Sequence, residues 1–153
     1  MRSICTLTLG MALMASAVAQ TGTTVTAYKG GFKWIKMGQA TKPLAISLAN
    51  ASVLKVELSF PNQVELRKDS HGYQWFTFML ADQGKDWKWN QTTSGTVPAT
   101  GGIIKPGRYT VTIPLKGIPS SVLKGATQVL SLGAGTSGLV RPITFTIVSM
   151  RGS

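Results

Sequence analysis

The side chains able to do chemistry in this chain are few and unevenly chosen: five Asp+Glu, one His and one Cys stand beside four Trp, three Tyr and five Phe. Three of the tryptophans fall in one stretch. Tyr73-Gln-Trp-Phe-Thr-Phe-Met-Leu is followed by Ala81-Asp-Gln-Gly-Lys and then by Asp86-Trp-Lys-Trp-Asn-Gln. If a turn centres near Gln83, a hairpin pairs Met79 with Trp87 and Thr77 with Trp89 and brings Trp75 close to Gln91. Tyr73, Trp75, Trp87, Trp89 and Gln91 then share one face with Thr77 and Met79, while Phe76, Phe78 and Leu80 share the other with Gln74, Lys88 and Asn90. The chemistry such a face suits is sugar recognition. A sugar ring has an apolar C–H face and a rim of hydroxyls, so an indole stacks on the first while amides meet the second. The competing reading makes these tryptophans core, since aromatic rings dominate buried area and a one-residue bulge swaps faces. Phe76, Phe78 and Leu80 already supply an inner face, and that favours the platform.

The acids offer less. Asp69 with His71, and Asp82 with Asp86, each flank a turn and are read as solvated turn residues, because Asp there caps backbone N–H groups. A lone His without Cys or a second His is a poor zinc signal, and calcium needs more oxygens than these acids give. Glycoside hydrolysis needs two carboxyl groups on opposite sides of a sugar bond, one of them protonated. Glu65 lies near Arg67 and Lys68, whose charge favours the ionised form. The chain is therefore read as non-enzymatic, with no catalytic residues, no metal and no cofactor. Gly133, Gly135 and Gly138 are no phosphate cradle, since no helix follows them. Asn50-Ala-Ser52 and Asn90-Gln-Thr92 fit the glycosylation sequon, a pattern that also arises by chance.

Strands must position these residues. Leu54, Val56, Leu58 and Phe60 recur at every second position with Lys55, Glu57 and Ser59 between them, the period of a half-buried strand. Arg108 to Leu115 repeats the pattern, and Pro114 inside it predicts an edge position or a strand end. Further strands are expected at 32–37, 43–48, 73–80, 127–132 and 143–148. Turn residues separate them, including the run Gly133 to Gly138. Gln91 to Gly102 reads as a long polar loop and Ser120 to Lys124 as a single helical turn. The fold class is all-β, an antiparallel β-sandwich.

At this point the chain resembles a known group. The Asp-Trp-Lys-Trp segment after a hydrophobic strand, Pro106-Gly-Arg-Tyr-Thr-Val-Thr-Ile-Pro-Leu, Val129-Leu-Ser-Leu-Gly-Ala-Gly and a final Ile-Thr-Phe-Thr-Ile-Val strand look like the galactose-binding-like jelly rolls. More narrowly, they are similar to carbohydrate-binding modules of secreted bacterial mannanases and cellulases. The resemblance covers roughly residues 52 to 150. It implies a two-sheet jelly roll with aromatic sugar platforms, which map here onto Trp75, Trp87 and Trp89. That group commonly carries an aspartate in its last strand, where Val148-Ser149-Met150 has no acid.

The N-terminal segment is read as a signal peptide of residues 1–19. Arg2 gives a basic start, Ile4 to Val18 is apolar or small, and Ala17-Val18-Ala19 offers a small-x-small cleavage pattern. Its apolar stretch is shorter than a bilayer span, so no transmembrane segment is expected after cleavage. Cleavage removes Cys5, and an exported domain without disulfides must be held by its own core. Residues 20–29 read as a flexible start and 30–153 as one sandwich domain. The 16 Lys+Arg give a net charge of +11, which attracts polyanions at low salt. The expected function is secreted, extracellular or periplasmic, non-catalytic binding of polysaccharide: neutral glucans or mannans, with acidic glycans as a further class. The alternative is a basic structural or envelope-interaction protein holding anionic surfaces or protein partners. Export argues against intracellular nucleic acid as a partner.

Overall fold

A computed structural model describes residues 22–35, 48–82, 94–120, 123 and 130–153. Ten strands follow in chain order: β1 (Thr23–Tyr28), β2 (Phe32–Trp34), β3 (Val53–Phe60), β4 (Val64–Glu65), β5 (Phe76–Asp82), β6 (Ser94–Thr96), β7 (Ile103–Ile104), β8 (Gly107–Pro114), β9 (Leu130–Thr136) and β10 (Ile143–Gly152). They form two four-stranded antiparallel sheets, ordered β1-β10-β3-β8 and β2-β9-β5-β6, with β4 and β7 making a separate ribbon. β1 pairs with β10, β2 with β9, β3 with β8 and β5 with β6. The chain is thus a long hairpin rolled into two sheets, the jelly-roll arrangement. Among the described residues no helix is long and apolar enough to cross a membrane. Leu123 N–H does bond the Pro119 carbonyl at 3.2 Å, one turn of α type.

Alternation decides what lies between the sheets. Leu54, Val56, Leu58 and Phe60 of β3 and Val111 and Ile113 of β8 are buried from one side; Phe76, Phe78 and Leu80 of β5 and Leu132 and Ala134 of β9 are buried from the other. Phe76 and Phe145 sit at the centre, with ring centroids 5.6 Å apart and planes crossed at 82°, and Phe60, Phe78 and Tyr28 pack around both. Crossed and offset ring pairs of this kind add to the free energy of simple burial. In β10 the register shifts between Ile147 and Ser149. This bulge turns the strand's phase by one residue, so that Phe145 and Ile147 before it and Met150 after it all face the core.

The two lateral edges differ. β6 lies against β8 with Gly95 at the contact. A Cβ there would collide with the Thr112 carbonyl oxygen and come within 2.6 Å of Val111 Cγ1. Only glycine lets the two sheets close at this corner. At the other side the outer strands are β1 and β2, and a cleft opens between them.

Several sequence expectations change here. Residues 23–28, taken as part of a flexible start, are β1, and Tyr28 at its end is a core residue, 2% exposed. A Thr-rich strand that hydrogen-bonds on one side only carries little apolar signal. The glycine run from 133 is not a turn at its start, because β9 continues to Thr136. Within the stretch taken as a polar loop lies β6. The segment 1–19, the stretch 36–47 of the strands expected at 32–37 and 43–48, and residues 127–129 lie outside the described residues.

Candidate functional site

The site is built from Trp75 outward. Just ahead of it, residues 69–72 form a turn in which Gly72 N–H bonds the Asp69 carbonyl at 3.0 Å, with Gly72 at φ +85°, a conformation glycine adopts without a Cβ penalty. The Asp69 carboxylate organises the turn: Oδ1 accepts the backbone N–H of His71 at 3.0 Å and of Tyr73 at 2.9 Å. Its other oxygen, Oδ2, accepts the indole Nε1–H of Trp75 at 3.0 Å. These donors stabilise the anion, the indole contributing most, and hold the carboxyl below its ordinary value. Asp69 and His71 are therefore a turn device, as their types suggest. Asp69 spends its oxygens on the turn and on Trp75.

From behind, Ser137 fixes the Trp75 backbone. Trp75 N–H donates to Ser137 Oγ at 3.0 Å, Ser137 N–H donates to the Trp75 carbonyl at 2.9 Å, and the Ser137 hydroxyl donates to the Arg67 carbonyl at 2.7 Å. Trp75 then enters β5 with Thr77 and Met79 on its side and Phe76 and Phe78 on the other, the parity expected from the sequence.

On the outward face of the β2-β9-β5-β6 sheet, the register sets Phe32, Gly135 and Thr77 side by side, and Trp34, Gly133 and Met79 likewise. The glycines leave room that rings fill. The point where a Gly133 Cβ would stand lies 2.5 Å from Phe32 Cζ and 3.3 Å from Trp34 Cζ3; at Gly135 it lies 3.4 Å from Trp75 Cζ3, 3.5 Å from Phe32 Cδ2 and 3.7 Å from Met79 Cε. The Phe32 ring thus runs along β9 from one glycine to the other, with Trp34 at one end and Trp75 at the other. Phe32 and Trp34 meet edge to face, 4.9 Å between centroids and at 90°. Phe32 is 42% exposed, and Trp34 and Trp75 are half-buried. Beyond Met79 and Thr77 the face continues in hydroxyls, with Thr77 Oγ1 and Thr96 Oγ1 3.2 Å apart.

Of the residues nominated from sequence, Trp75 belongs to this patch. Tyr73 is 69% exposed in the loop before β5, its N–H and carbonyl both bonded to Asp69. Trp87, Trp89 and Gln91 lie outside the described residues, as do Asp86 and the side chain of Asp82. The expected tight hairpin, with Met79 opposite Trp87 and Thr77 opposite Trp89, is replaced. Thr77 pairs with Thr96 and Met79 with Ser94, and the opposite edge of β5 is taken by β9. Phe32 and Trp34 were not nominated. Their signal was the period-two pair Gly133 and Gly135, which leaves bare backbone for a neighbour's ring to cover.

The remaining acids are tied to surface cations. Glu57 is 3.7 Å from Arg151 and Glu65 3.8 Å from Arg141. Among the described residues no three of His, Cys, Asp and Glu come together as metal donors. Comparison of the chain with protein-family models, with curated proteins and with solved structures finds no match.

Proposed function

We propose that this protein is a secreted, non-catalytic polysaccharide-binding domain that takes a sugar chain on the outward face of the β2-β9-β5-β6 sheet. One observation carries the reading: Phe32, Trp34 and Trp75 gather over Gly133 and Gly135 on a solvent-facing surface whose opposite side already has a complete core. A fold that needed these rings only for burial would turn them inward. The indole Nε1–H of Trp75 is committed to Asp69, so the indole serves as an apolar stacking surface, and hydrogen bonds to the sugar rim fall to hydroxyls such as Thr77 and Thr96. Tyr73, exposed in the loop just before Trp75, extends the same surface in this reading. Stacking on C–H faces needs no charge, so the aromatic face by itself suits neutral glucans or mannans, and acidic glycans equally where their rings present such a face.

The test is electrophoresis of the protein through native gels containing β-glucan or mannan, at low and at high salt. Retardation that survives high salt and is weakened in Phe32→Ala and Trp75→Ala supports the reading. Retention by polyanions alone, lost as salt rises, would instead mark a basic protein of the cell envelope that holds anionic surfaces.

A further inference from the structure

The cleft between β1 and β2 breaks the core pattern in a particular way. Phe145 and Ala134, both fully buried, lie beneath it, and half-buried Val25 stands beside Phe145 in the β1–β10 register. The volume of the cleft is about 390 Å³, at the small end of ligand pockets. Thr23 pairs with Ile147 and Val25 with Phe145, so both point to the core side of their sheet. Lys33 pairs with Ala134, itself opposite Phe78, so Lys33 leaves the strand on the core side, and its side chain is exposed at the rim of the cleft. Where alternation calls for two apolar side chains, the edge strands place a hydroxyl and an ammonium. Lys33 takes part in no ion pair among the described residues, and among the described residues lining the cleft it is the only charged one. Trp34 lines the same cleft and touches Phe32 of the aromatic patch, so the two surfaces are continuous.

A half-buried apolar wall, a hydroxyl, one cation and an indole at the mouth match a sugar that carries a carboxylate: its C–H face meets Val25 and Trp34, its ring oxygens meet Thr23, and its carboxylate meets Lys33. We propose that the cleft is a subsite for a uronate unit, so that the polysaccharide taken on the aromatic face is one bearing acidic sugars. This rests on the polysaccharide-binding reading above. A lysine on an edge strand also discourages pairing with other chains, but that role would govern association, not discrimination between sugars.

The experiment titrates the purified protein calorimetrically with tetragalacturonate and with mannotetraose, at fixed salt. The expected result is tighter binding of the acidic sugar by about fivefold, the scale of one partly exposed ion pair. Lys33→Gln should abolish that preference and leave mannotetraose affinity unchanged. Lys55→Gln, on the outward face of the other sheet, should leave the preference intact, and Trp75→Ala should weaken both sugars alike. Equal affinities overturn the subsite while leaving the polysaccharide reading in place. A preference reduced equally by Lys33→Gln and Lys55→Gln overturns it as well, because it would report the basic surface as a whole. Binding of neither sugar overturns both readings.

Discussion

Asp69 Oδ2 and Trp75 Nε1 lie 3.0 Å apart, six residues from one another, while the second carboxylate oxygen closes the turn between them. One side chain thus sets both the course of the loop and the orientation of the indole that follows it. A ring used for stacking must be held in place before the ligand arrives, since ordering it on binding subtracts from affinity. Asp69 achieves this from outside the aromatic surface.

Replacing Asp69 with Ala should therefore weaken sugar binding without removing any group that touches sugar, and should alter tryptophan fluorescence. The effect has a definite pH dependence. The carboxyl lies below its ordinary 3.8 in the folded protein, so its contribution is fully present above that pH and is lost as pH falls through the lowered value. Wild-type affinity should hold from neutral pH to about pH 4 and then decline. Asp69→Asn should flatten that acid limb. An acid limb identical in wild type and Asp69→Asn would show that other carboxyl groups govern it.

Gly95 and Gly133 lie in strands of the same sheet, yet alanine at each should fail differently. At Gly95 the new methyl meets the Thr112 carbonyl, which is backbone and cannot move aside without opening the β6–β8 corner. Overpacking of this kind costs about 1–3 kcal/mol or more, and thermal unfolding should show it. At Gly133 the methyl meets Phe32 Cζ and Cε2 at 2.5 and 2.6 Å, atoms at the far end of a half-exposed ring. Phe32 can swing away, so stability should change less than for Gly95→Ala while retention on glycan gels falls. Equal losses of melting temperature for the two variants would contradict this assignment.

Much of the fold is legible where burial is one-sided and regular. Leu54 to Phe60 and Tyr109 to Ile113 read as strands, and Pro114 marks the end of an edge strand, as its missing N–H requires. The alternation of Phe76 and Phe78 against Trp75 and Thr77 likewise separates core from surface. What escapes the sequence is long-range. β10 shifts phase at its bulge, so a strict period of two ends at Val148 although the strand runs on to Gly152. Gly95 carries no strand signal, because it is selected by the approach of Thr112 and not by its own strand; hence the turn signal at Gln83-Gly84 suggests a tight hairpin while β5 actually pairs with residues 94–96. Phe32 and Trp34 sit about a hundred residues before the glycines they cover. No local pattern links them.

The absence of glycosidase activity is a further expectation of the binding reading. Glu57 and Glu65 are each within 4 Å of an arginine, at 3.7 and 3.8 Å, and Asp69 is engaged by three N–H donors. The donors around Asp69 favour its ionised form, whereas a general acid must hold its proton. Prolonged incubation with mannan, β-glucan, xylan and pectin should release no reducing ends. Release that disappears in Asp82→Asn or Asp86→Asn would make the protein an enzyme.

Tyr28 supplies the alkaline counterpart to Asp69. Its ring stacks nearly parallel on Phe76, centroids 5.9 Å apart and 3° between planes, at the end of β1. Its hydroxyl donates toward the Gly31 carbonyl at 2.6 Å, with the Ala134 carbonyl 3.2 Å away. A phenolate there would lose water on one side and face two carbonyl oxygens on the other, and burial pushes the group from 10.0 up to about 12. The sign follows from linkage: the unfolded chain releases this proton first, so the contribution of neutral Tyr28 is complete below pH 10 and is lost as pH rises from 10 toward 12. Tyr28→Phe keeps the ring stack and removes the hydroxyl. At neutral pH it should cost about 0.5–1.5 kcal/mol, the net value of a typical hydrogen bond. Between pH 10 and 12 the gap between wild type and Tyr28→Phe should narrow, because only the wild type has this proton to lose. Urea unfolding at pH 7, 10 and 11.5 measures both quantities, and a gap that stays constant with pH would mean that the hydroxyl is not shielded as its contacts with Gly31 and Ala134 require.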